Sequence, residues 1–191
     1  MKKVLILFTV AALLAGQAGI AQQYVAVAES SILRWSGKTP VKGHDGRLSL
    51  KEGSFEIKED RFVSGVFVID MNSIIVDDLK DANQNARLLG HLKSDDFFSV
   101  ETYPTATLTI RESSAFKDGE ATVKANLTIK GKTHPVTFTV KRAGDVFQSR
   151  VTFDRSLYDV RFGSGKFFQN LGNNAIDDML PVDVTLVAKR K

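Results

Sequence analysis

The chain has 191 residues, of which 43% are apolar and 25% charged. These are the values of a folded globular domain, and the length suits one domain rather than two. It has no cysteine, which excludes disulfides, thiolate metal sites, cysteine nucleophiles and cysteine-linked lipid anchors. Lys and Arg number 26 against 22 Asp and Glu, mixed along the chain without a basic stripe, so nucleic acid is not an expected partner.

The N-terminus reads as a secretory signal peptide over residues 1–21, followed by one domain over 22–191. Lys2 and Lys3 give the positive start, and Val4 to Ala15 is apolar apart from Thr9. Gly19 and Ala21 place small side chains before a cut after Ala21. The apolar run is shorter than the roughly 20 residues of a membrane span. Leu14-Ala15-Gly16-Gln17 has the outline of a lipoprotein cleavage box with Gln where a thiol is required, so no stable membrane anchor is expected. The expected location is therefore periplasmic or secreted. Cleavage removes two lysines and no acid, leaving a nearly balanced charge that gives no reason to dock on an acidic membrane.

Beyond the signal, apolar and polar residues alternate with period two. Val123, Ala125, Leu127 and Ile129 share one face, as do Val136, Phe138 and Val140, and Val182, Val184, Leu186 and Ala188. That alternation marks antiparallel strands with one wet face. Strands are expected near 24–36, 46–58, 61–71, 105–113, 119–130, 133–142, 145–154 and 180–190. Hairpin signals fall at Lys117-Asp118-Gly119, Lys130-Gly131-Lys132 and Ala143-Gly144-Asp145. Eight such strands can close into an all-β antiparallel barrel, which removes the exposed edges.

Three segments depart from the rhythm. Phe62 to Met71 is apolar on both faces, so its outer side is expected to be covered by the segment that follows. Residues 72–100 carry Leu79, Leu88, Leu89 and Leu92 at helical spacing, which predicts one or two short helices ending near Lys93. Ser94-Asp95-Asp96 then caps a further turn holding Phe97 and Phe98. This excursion is too long for a hairpin and is expected to cover an end or a side of the barrel. The stretch 157–178, rich in Gly and Asn, reads as a long, lid-like loop.

Catalytic constellations are weak. His44, His91 and His134 are dispersed, and only convergence in space would make them a zinc site. Adjacent acids at Asp77-Asp78, Asp95-Asp96 and Asp177-Asp178 point apart on any regular element and suit caps or solvent better than acid–base pairs. Gly163-Ser164-Gly165-Lys166 lacks the spacing of a phosphate loop. Neither a metal nor a cofactor is indicated. Phe, by contrast, occurs 13 times against three Tyr and one Trp. A side chain without a polar handle suits a dry interior. Composition alone leaves two outcomes open, a solid core or a hydrocarbon-binding cavity. Burying a chain of about twenty carbons would gain on the order of 16 kcal/mol before ordering and association costs.

The order of motifs resembles the YceI-like family. Leu92-Lys93-Ser94-Asp95-Asp96-Phe97-Phe98-Ser99-Val100-Glu101-Thr102-Tyr103-Pro104 is similar to its L-x-S-x-D-F-F-x-V-x-x-Y-P signature, and Ala125 to Val136 resembles its G-x-L-T-I-x-G-x-T-x-P-V hairpin except at the first Gly. Asp154-Arg155-Ser156-Leu157-Tyr158 falls where the family has an R-x-x-[FY] loop, and Gly53-Ser54-Phe55 and Ser64-Gly65 stand in family order. The resemblance implies a lipocalin-like eight-stranded barrel, periplasmic and non-catalytic, that sequesters or carries a polyisoprenoid or similar long-chain lipid. On that reading the apolar lining is Trp35, Phe55, Phe67, Phe97, Phe98, Leu108, Ile110, Leu127, Ile129, Phe138, Phe153 and Leu186, with head-group contacts at Tyr103, Asn126 and Arg155. A homodimer is compatible with an exposed barrel. Two other readings stand beside it. One is a metal-dependent enzyme using the three histidines. The other is a ligand-free interaction protein of the envelope stress response, whose interior would be packed solid.

Overall fold

The computed structural model describes residues 20–191. The signal-peptide cut after Ala21 depends on residues 1–19, which lie outside the described residues. The described residues form nine strands in one antiparallel sheet: β1 Gln22–Ala26, β2 Ile32–Lys38, β3 Gly43–Lys58, β4 Arg61–Val76, β5 Thr105–Ser113, β6 Glu120–Ile129, β7 Lys132–Ala143, β8 Val146–Asp154 and β9 Met179–Arg190. From β3 to β9 each strand pairs with the next in sequence, and both β1 and β2 bridge β3 and β9, so the sheet closes on itself. β1 and β2 together make one stave, and the molecule is an eight-staved barrel.

The expected strand over 24–36 is therefore two pieces. A 3-10 turn at Ala28–Ser30 interrupts it, with Ser31 Oγ donating to Val27 O at 2.8 Å and accepting from Val187 N at 3.1 Å. The break changes the parity of the inward positions. Tyr24 and Ala26 face the core before it, and Leu33 after it, which no unbroken strand allows.

β4 runs five residues past the expected end at Met71. Its two-sided apolar character also has a different cause from the one expected. Val63 and Val66 remain 43% and 44% exposed, with no covering segment. The register slips between Glu56 and Ile57 on β3, opposite Ser64 and Phe62 on β4. Such a bulge shifts the alternation by one residue, so Phe62 and Phe67 both turn inward although they are five apart. Gly53 makes room for the second ring, because a Cβ there would stand 2.6 Å from Phe67 Cδ1.

The 72–100 excursion contains one α-helix, α1, over Ala82–Lys93. Asp81 caps it by accepting from Gln84 N at 2.9 Å. Asn85 Nδ2 donates to Val76 O and Leu79 O, and Lys93 Nζ donates to Asn72 O, which ties α1 to the end of β4. The helix thus sits over an end of the barrel. Phe97 and Phe98 follow in the further turn expected after Ser94-Asp95-Asp96. They lie in tight turns in which Phe97 N and Ser99 N both donate to Ser94 O, with Ser99 at φ 48°. None of the helices among the described residues is long and apolar enough to cross a membrane.

Candidate functional site

The barrel interior divides into a packed half and an open half. In the packed half, Tyr24 stacks on Phe55 with centroids 4.9 Å apart. Phe62 and Phe147 meet Phe55 edge-on at 5.3 and 5.1 Å, and Phe116 lies 5.4 Å from Phe62. Arg142 seals that end. Its guanidinium lies 5.4 to 5.9 Å from the ring centres of Phe147, Tyr24 and Phe116, and Nη2 donates to the Tyr24 hydroxyl at 3.0 Å.

In the other half the side chains leave a cavity of about 290 Å³. Its walls are apolar side chains of β2, β4, β5, β6, β8 and β9: Leu33 and Trp35, Ile69, Met71 and Ile74, Ala106 and Leu108, Leu127 and Ile129, Val151 and Phe153, and Leu180, Val182 and Val184. Leu88, His91 and Leu92 from α1, Phe97 and Phe98 from the following turns, and Phe162 and Ile176 from the 155–178 loop form the roof. The opening lies at the β2–β3 hairpin, where Lys38 and Lys42 are exposed beside Thr39 and His44.

The boundary between the halves falls at one level around the barrel. Inward side chains change from lining to packed between Ile69 and Phe67 on β4 and between Leu108 and Ile110 on β5. The same step occurs between Leu127 and Ala125 on β6 and between Val184 and Leu186 on β9.

Of the twelve lining residues expected from sequence, Trp35, Phe97, Phe98, Leu108, Leu127, Ile129 and Phe153 border the cavity. Phe55, Phe67, Ile110, Phe138 and Leu186 do not; they belong to the packed half or lie against it. Alternation tells which residues face inward but not how far along the axis they sit. Leu180, Val182 and Val184 of β9, Leu88 and Leu92 of α1, and Phe162 also border the cavity and lie outside the set expected from sequence. The helical spacing of Leu88 and Leu92 was a usable signal for them.

Trp35 is fixed in place by its backbone neighbour. Gly46 is its register partner on β3, and a Cβ at Gly46 would stand 2.8 Å from the indole and 1.9 Å from Ile75 O. The ring lies across the glycine and donates from Nε1 to Ile75 O at 3.1 Å.

The three residues expected to hold a head group do not reach the cavity. Tyr103 packs over the β6–β7 turn, where its Cε1 would be 3.3 Å from a Cβ at Gly131. Asn126 sits between the inward Ala125 and Leu127 and so points to the outside of β6. Arg155 is 0% exposed and serves the loop above the barrel. Its Nε donates to Asp177 O, Nη1 to Val160 O and Phe162 O, and Nη2 to Ile176 O, all between 2.8 and 3.1 Å. Asp178 lies 3.3 Å from Nη2, and the Phe97 ring centre 5.7 Å from the guanidinium carbon. Burial pulls the Arg155 pKa down, and the neighbouring Asp178, Asp154 and Asp177 oppose it.

The histidines have separate partners. His44 Nδ1 is 2.8 Å from Asp78 Oδ2 at the opening. His91 meets Phe162 and Phe97 edge-on, and its Nε2 is buried without a protein partner. His134 faces Tyr158, whose hydroxyl burial pushes up to about 12. Among the described residues no three His, Asp or Glu side chains are grouped to hold a metal ion. The Gly163–Lys166 segment is no phosphate cradle either: the Lys166 ammonium is taken by Asp154 and Ser156.

A closed antiparallel barrel with an apolar cavity at one end is the class of molecule this fold and site define. The YceI-like domain pattern matches residues 24–188, and the chain belongs to that family. A UPF0312 protein of Pseudomonas aeruginosa strain LESB58 is 34% identical over 99 residues, 52% of this chain and 49% of that protein. The chain thus spans about half the length of the curated relatives it matches. Among solved structures, Burkholderia cenocepacia BcnA superposes with a TM-score of 0.60 at 20% identity, covering 86% of this chain and 99% of that one. A polyisoprenoid binding domain from Saccharophagus degradans, implicated in plant cell wall breakdown, gives 0.59 at 20% identity, covering 88% of this chain and 98% of that one. These two likenesses establish the fold.

Proposed function

We propose that this protein is a non-catalytic lipid carrier, working in the periplasm or outside the cell, that holds an isoprenoid or similar hydrocarbon chain in the barrel cavity. The observation that carries the reading is the cavity itself. It is apolar on all sides, roofed by α1 and the 155–178 loop, and its polar groups are confined to the roof and the opening. Apolar burial is the one strong interaction such a site offers. The binding named for the Saccharophagus relative points the same way. A ligand's polar end would meet His44, Lys38 and Lys42 at the opening, and an oxygen near the roof would satisfy His91 Nε2.

Trp35 borders the cavity and is the chain's single tryptophan, so energy transfer from it to a bound polyene fatty acid reports occupancy directly. The expected outcome is saturable transfer at one polyene per protein, reduced at least about tenfold in affinity by Ala106→Phe, which fills the space. Unsaturable or absent transfer would count against the reading. The metal-enzyme alternative has no geometric support, since the three histidines are engaged separately. A fully packed interaction barrel is not what the open half shows.

A further inference from the structure

Resting on the reading of the cavity as a lipid site, we infer that the protein docks reversibly on a lipid bilayer through the outer edge of the 155–178 loop, and that cargo enters from that surface. Phe162, Phe167 and Phe168 of this loop are 46%, 44% and 48% exposed. Phe has no polar group to offer water, so several half-exposed rings on one short segment mark a contact surface rather than scattered exposure. Local geometry keeps them together. Ser164 N donates to Arg161 O at 2.9 Å, and Phe167 N and Phe168 N both donate to Ser164 O, at 3.1 and 3.0 Å. The Arg161 guanidinium carbon lies 5.0 Å from the centre of the Phe167 ring. Lys166 Nζ donates to Asp154 and Ser156, which fastens the segment to the end of β8, beside the exposed Leu157 and Met179.

Two observations join this surface to the cavity. Phe162 belongs to both, since it roofs the cavity, edge-on to His91 at 4.4 Å, and still reaches solvent. The far end of the loop is tied to the opening, where Asp177 N donates to Lys38 O at 2.9 Å. Val41, in the same β2–β3 hairpin, is 65% exposed. The rings therefore stand beside the entrance, on the path of a cargo that is poorly soluble in water. The charges decide which kind of surface they meet. Lys38, Arg161 and Lys166 are paired with Asp177, Asp159 and Asp154. A face neutralised in this way draws little on the field of anionic lipids or of an acidic protein. The attraction comes from burying the rings at the boundary between headgroups and acyl chains, with the long cationic side chains at headgroup depth.

The test uses the purified full chain and phosphatidylcholine vesicles, with and without phosphatidylglycerol. Flotation measures docking, and energy transfer from Trp35 follows the arrival of a polyene fatty acid preloaded in the vesicles. The protein should float with both kinds of vesicle, with affinity changing less than about threefold between low and high salt. The rate of polyene arrival should rise with vesicle concentration, as transfer by collision requires. The Phe167→Ser, Phe168→Ser double variant should lower vesicle affinity and arrival rate at least about tenfold. It should leave the affinity for polyene added from ethanol unchanged, because neither ring borders the cavity. The Phe167→Tyr, Phe168→Tyr variant keeps rings suited to the interface and should retain most of the docking. No flotation, with an arrival rate independent of vesicle concentration, would overturn docking while leaving the lipid site intact. Flotation that high salt abolishes, or that the serine variant retains, would also overturn it. A dimer in sedimentation velocity that the serine variant dissolves, without vesicle binding, would assign the rings to a second copy of the chain instead. Absence of polyene uptake from vesicles and from ethanol alike would overturn the lipid reading, and this route of loading with it.

Discussion

Arg155 shows how a single side chain can be misassigned from its chemistry alone. A lone arginine in a loop motif beside a cavity invites an anionic head group. Here the guanidinium is fully buried and spends its donors on four backbone carbonyls spread over residues 160–177. Those carbonyls belong to a loop without strand partners, so Arg155 replaces the missing ladder. Removing it would orphan them and leave Asp178 as an unpaired carboxylate. Arg155→Met should therefore destabilise the protein by about 3 to 5 kcal/mol in urea unfolding. A variant that keeps wild-type stability but loses ligand affinity would instead restore the head-group role.

At the scale of elements, the segment after β4 is held against the start of β3 by two acids, Asp77 and Asp78, whose adjacency in sequence suggests only caps or solvent. Arg47 Nε and Nη2 donate to Asp77 at 2.8 and 2.9 Å, and this hydrogen bonding holds the Asp77 carboxyl below its ordinary pKa. At Asp78 burial pushes upward, but hydrogen bonds from His44 and from the Asp45 N–H outweigh it and leave the pKa lowered. A carboxyl depressed in the folded state contributes stability that is complete above its unfolded value of about 4 and is lost as pH falls through the folded value. The Asp77→Asn, Asp78→Asn double variant should thus be less stable than wild type at pH 7. The difference should shrink steadily between pH 5 and pH 2.5, as followed by urea midpoints. The same scale shows what could be read from sequence. Period-two alternation located the strands because one face of each is wet, and helical leucine spacing placed the end of α1 at Lys93. The break at Ala28–Ser30 and the bulge beside Phe62 escaped because each is a one-residue change of phase that leaves composition untouched.

For the whole molecule, alternation and a surplus of Phe predict an apolar interior but not its division. Phe55 and Phe153 have the same chemistry and both face inward, yet one lies in the packed half and the other borders the cavity. Only the axial position, fixed by register and shear around the closed sheet, separates them. The packed half closes the barrel, and the open half holds the cavity proposed as the lipid site. The most direct measurement is mass spectrometry of the organic extract of protein purified from the cells that make it. Close to one molecule of a single lipid species per protein is expected, released together with a change in Trp35 emission. An extract free of lipid, with no uptake when lipid is supplied afterwards, would contradict it.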